Sequence, residues 1–64
     1  MRNLELLFKA ARRKNIEVLL RTDTQGYFLH VYTRDSNRPI SVYQQFGSDL
    51  DSMVEAAILA VSLA

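Results

Sequence analysis

Apolar residues recur along the first 15 positions at Leu4, Leu7, Phe8 and Ala11, the i, i+3, i+4, i+7 spacing that gives a helix one apolar stripe. Asn3 is a good N-cap and Asn15 a natural stop, so the spacing predicts a helix from about Leu4 to Lys14. At Ile16 the period changes to two. Ile16, Val18 and Leu20 then point one way and Glu17, Leu19 and Arg21 the other, as in a half-buried strand. Asp23, Thr24, Gln25 and Gly26 supply turn chemistry, and Tyr27 to Arg34 reads as a second strand closing a hairpin. A polar stretch, Asp35, Ser36, Asn37, Arg38 and Pro39, predicts a second turn. The third strand is expected over Ile40 to Phe46, with Pro39 placed harmlessly at its start.

Gly47 ends that strand and Ser48 is a strong N-cap. Asp49 and Asp51 favour the positive end of the helix that follows, from about Asp49 to Leu63. Its core stripe is Leu50, Met53, Val54, Ala57, Ile58 and Val61. The fold class that results is α+β: helix, three-stranded antiparallel meander, helix, in one small domain spanning positions 1–64. Two helices beside a three-stranded sheet pack most simply on one sheet face and leave the other open.

That layout defines two surfaces. If Ile16, Val18, Leu20, Tyr27, Leu29, Val31, Ile40 and Val42 face the helices, the open face carries Leu19, Arg21, Phe28, His30, Tyr32, Arg34, Ser41 and Tyr43. Aromatic and basic side chains on an open sheet suit a protein interface, where tyrosine and arginine are favoured anchors. They also suit stacking of single-stranded bases with phosphate contacts, and they can simply stabilise the hairpin as cross-strand pairs. The second surface is the back of the last helix, where Ser52, Ala56, Leu59 and Leu63 form a stripe opposite the core and no charge follows Glu55. A solvent-facing helix ordinarily carries charges there, so the stripe points to self-association, most simply a homodimer.

Composition removes several function classes. The chain has no cysteine, hence no disulfide framework, thiolate nucleophile or sulfur-ligated zinc, and a reducing, cytoplasmic setting is expected. Glu5, Lys9, Arg12 and Arg13 interrupt any apolar leader, and the longest uncharged segment, positions 56–64, is far short of the roughly 20 residues a membrane span needs. The lone histidine, His30, has no local carboxylate at ligand spacing, and no serine sits in a nucleophile elbow. No catalytic group, metal site or cofactor is therefore expected, and the chain reads as a non-enzymatic binding module. Net charge is only +1, with a basic first quarter and Asp49, Asp51 and Glu55 near the start of the last helix. Nucleic acid is thus the lesser alternative to a protein partner.

The order αβββα resembles that of the double-stranded RNA-binding domain. That family opens its second helix with a basic cluster aimed at phosphates, whereas this chain opens with Ser48, Asp49, Leu50 and Asp51, so the resemblance extends to element order alone. Over its whole length the chain also resembles small accessory proteins encoded by bacteriophages and prophages. The likeness lies in a short leading helix with Leu4, Glu5, Leu6 and Leu7, a hairpin around Thr24, Gln25, Gly26 and Tyr27, and an alanine-rich closing helix entered through Gly47 and Ser48. It implies a protein that binds and modulates a host assembly, such as a defence or nucleic-acid-processing complex.

Overall fold

The computed structural model describes residues 2–34 and 37–64, with no side-chain description for Arg2; the turn expected at Asp35 and Ser36 lies outside the described residues. The elements are α1 (Arg2–Arg13), β1 (Ile16–Asp23), β2 (Gly26–Thr33), β3 (Ser41–Gly47) and α2 (Leu50–Leu63). The strands form one antiparallel meander, β1-β2-β3, and both helices cover the same sheet face. Alternation along β2 shows the division plainly: Leu29 and Val31 are fully buried, while Phe28, His30 and Tyr32 between them keep partial exposure.

The core joins Leu7 and Ala11 of α1, Ile16, Leu29 and Val31 of the sheet, and Met53, Val54, Ala57 and Val61 of α2. Leu4, Val18, Leu20, Tyr27, Leu50 and Ile58 pack around it, as their periodicity predicts. Phe8 departs from its expected place in the α1 stripe. It is 42% exposed, because it sits at the border of α1 over the β1 edge, where nothing lies beyond it.

Two chain reversals have clear local causes. Asn15 ends α1 with a φ of 57°, the left-handed conformation asparagine tolerates, so the expected stop is found. In the β1–β2 turn, Asp23 Oδ1 accepts from the N–H groups of Gln25 (2.8 Å) and Gly26 (3.1 Å), a side chain standing in for a backbone turn.

Three expectations are corrected at element ends. Helix α1 begins at Arg2, so Asn3 lies within the first turn and is not the cap. Asp49, not Ser48, caps α2: its Oδ1 accepts from Ser52 N–H at 3.3 Å and its Oδ2 from Ser52 Oγ at 2.8 Å. Ile40 is 61% exposed instead of buried, since it lies before β3, opposite Thr33 at the end of the ladder and outside the core.

Candidate interaction surface

The open sheet face is built by register. Arg21, Phe28 and Phe46 lie side by side across the three strands; Leu19, His30 and Gln44 form the next row, and Glu17, Tyr32 and Ser41 the third. Along the central column the rings of Phe28 and His30 stand 6.1 Å apart at 51°, and those of His30 and Tyr32 4.8 Å apart at 42°. These tilted contacts fall within the range of favourable ring pairing, so β2 presents a preformed aromatic ridge. Arg34, just beyond β2, places Nε 3.2 Å from Glu17 Oε2 at one corner of the face.

The ridge is flanked by two shallow hollows. One lies among Arg21, Thr22, Asp23, Gly26, Phe28 and Phe46, and the other among Leu19, His30, Tyr32, Pro39, Ser41 and Gln44. Both have mixed apolar and polar walls, the makeup of a face that takes a protein side chain and fixes it with a few hydrogen bonds.

Of the expected open-face residues, Leu19, Arg21, Phe28, His30, Tyr32 and Arg34 converge there, and Tyr43 does not. A bulge in the β2–β3 ladder between Val31 and Tyr32 pairs Val31 with Tyr43 and Tyr32 with Ser41, leaving Val42 as the extra residue. One inserted residue reverses the parity of everything after it. Tyr43 therefore joins the helix side, where it packs on the core and burial pushes its hydroxyl above the ordinary tyrosine range. The same reversal delivers two residues that alternation alone missed, Gln44 and the 51% exposed Phe46. The available signal was the adjacent pair Val42 and Tyr43, two apolar residues in a row where strict alternation allows one.

The back of α2 is as exposed as the stripe predicts: Ser52 and Ala56 are open to solvent, and Leu59 and Leu63 are 62% and 80% exposed. Among the described residues there is no group of three or more histidine, aspartate or glutamate side chains that could hold a metal, and no helix is long and apolar enough to cross a membrane. Comparison of the chain with known protein families, with curated proteins and with solved structures gives no match.

Proposed function

We propose that the protein is a non-enzymatic protein-binding module that docks a partner on its open sheet face and self-associates as a homodimer through the outer stripe of α2. The observation that carries this reading is the uncovered aromatic ridge of Phe28, His30 and Tyr32, extended by Phe46. A face of this kind costs less in ordering than a mobile one, because the rings of Phe28, His30 and Tyr32 are already in contact with one another on the sheet. It is the role that phage-encoded accessory proteins of this size fill when they bind and modulate a host complex.

Charge favours a protein over single-stranded nucleic acid on this face. Arg34 is engaged by Glu17, whose carboxylate stands on the face itself, so among the described residues of the face Arg21 is left as the cation beside the ridge. Phosphate-tracking surfaces gather several cations, and their affinity falls steeply with salt.

The test compares capture of partners from the source cells by the wild type, Phe28→Ala, Tyr32→Ala and, as a folding control, Leu29→Ala. Loss of an aromatic anchor should weaken binding by about 2 kcal/mol, roughly thirtyfold, while melting stays near that of the wild type. If Phe28→Ala and Tyr32→Ala melt as early as Leu29→Ala and still capture the partner, the ridge is structural only. Salt-sensitive binding to random single-stranded oligonucleotides would move the face to the nucleic-acid class.

A further inference from the structure

The two edges of the sheet are not alike. The β3 side is disrupted by the bulge at Val42, the usual device for keeping an edge from pairing with another chain, whereas β1 runs eight residues in unbroken register. Asn15 O accepts from Arg34 N–H at 3.3 Å, so by antiparallel alternation Glu17, Leu19 and Arg21 bond to β2. Ile16, Val18 and Leu20 then turn their N–H and C=O groups outward. Beside this free edge lies a cleft of about 290 Å³, walled by Phe8, Ala11 and Arg12 of α1 and floored by Ile16 and Val18. That volume lies at the bottom of the range of small-molecule pockets and suits a few side chains of a polypeptide.

We infer that this cleft takes an extended acidic segment of a partner protein, added to β1 as a fourth strand. Alternate side chains of such a strand divide between the two sheet faces. One set meets Phe8, Ala11 and Val18 under α1 and must be apolar. The other set lies along Arg34 and Arg21 on the open face, and Arg12 stands at the mouth, so among the described residues three arginines stand against two carboxylates, Glu17, held by Arg34, and Asp23, tied into the β1–β2 turn at the far end of the strand. The complement is a strand alternating apolar and acidic residues.

A second copy of this chain fits the edge less well, although two β1 strands in antiparallel register would set Glu17 of one against Arg21 of the other. Paired strands sit about 4.8 Å apart, while a helix with its side chains is about 10 Å wide. A two-fold axis normal to the sheet would bring both α1 helices to the same side of the junction, where α1 already borders the edge through Phe8 and Arg12. A bare strand carries no helix and meets no such obstacle.

This inference rests on the protein-binding reading and is separable from it. The probes are two blocked eight-residue peptides, one alternating valine and glutamate and one alternating valine and lysine, titrated into the full chain and followed by amide chemical shifts. The valine–glutamate peptide should bind at least tenfold tighter, moving the amides of Ile16, Val18 and Leu20. The same peptide N-methylated on its pairing edge should not bind. In Arg21→Glu with Arg34→Glu the preference should invert toward lysine, an outcome that a loss of structure does not produce. Equal binding of the two peptides, or no binding, overturns the inference. Shifts confined to Phe28, His30, Tyr32 and Phe46 also overturn it while leaving the open-face reading intact, and a wild-type dimer with its β1 amides protected assigns the edge to a second copy.

Discussion

Gly26 stands where neither backbone nor space admits a side chain. Its φ is +150°, a value L residues rarely adopt, and a Cβ built there would lie 2.6 Å from the Gly47 carbonyl oxygen. Gly26→Ala should therefore destabilise the fold by about 2 kcal/mol, lowering the melting temperature by about 8–15 °C. Gly47→Ala is the contrasting case: its Cβ would meet only Met53 Sδ at 3.4 Å, a flexible thioether, and melting should change little. Equal melting of the two variants would show that the hairpin relaxes away from β3. At Asp49, the Ser52 hydroxyl, then the Ser52 N–H, hold the carboxyl below the ordinary carboxylate range. A folded-state value below the unfolded one stabilises the protein above the unfolded value, and the contribution is lost as pH falls through the folded one. Ser52→Ala removes the first cause and should move the Asp49 titration midpoint upward, read by carboxyl carbon shifts, and the acid-unfolding midpoint with it. An unmoved titration would assign the low value to the helix terminus instead of to Ser52.

At the scale of the elements, α2 is incomplete by itself. Its last turn has no basic residue, and the cation that complements its C-terminal carbonyls comes from just past α1: Lys14 Nζ donates to Ser62 O at 3.0 Å and Ala64 O at 2.9 Å. Lys14 thus joins the two C-terminal ends. Lys14→Met keeps most of the stem and removes the charge; it should cost about 0.5–1 kcal/mol and speed amide exchange in the last turn of α2. Exchange confined to α1, or unchanged, would mean that the contact contributes nothing. Such a long-range cap was not legible in the sequence, where Lys14 reads as the end of a local basic run. The elements themselves were, since a period of 3.6 in positions 4–11 and 50–61 and a period of two from Ile16 to Val31 each admit one assignment. What escaped was whatever adjacent residues of one type share: Ser48 and Asp49 are equally good caps, and only the backbone decides between them. The bulge escaped for a related reason, because an inserted residue preserves composition and changes parity, and with it the side on which Tyr43, Gln44 and Phe46 fall.

For the whole molecule, the exposed back of α2 poses the question of size. A chain of 64 residues buries only about 60% of its unfolded surface, so additional burial matters more here than in a larger domain. Leu59 and Leu63 are mostly exposed, and hiding a leucine contributes about 2 kcal/mol, hence about 8 kcal/mol for four in a symmetric pair. Association itself costs about 4–15 kcal/mol, which offsets half or more of that gain. Ala56 lies on the same stripe and lets two helices approach closely, adding dispersion contacts that long side chains would prevent. At the low end of that cost about 4 kcal/mol remains, a dissociation constant of about 1 mM, and the contacts at Ala56 tighten it, so the balance predicts a weak dimer with a constant between about 0.1 and 1 mM. Sedimentation equilibrium across that range should show a monomer–dimer equilibrium for the wild type and a monomer throughout for Leu59→Glu with Leu63→Glu, since apposed carboxylates on a desolvated stripe are strongly unfavourable. A wild type that stays monomeric at 1 mM removes the dimer, and a dimer indifferent to the double substitution places its interface elsewhere.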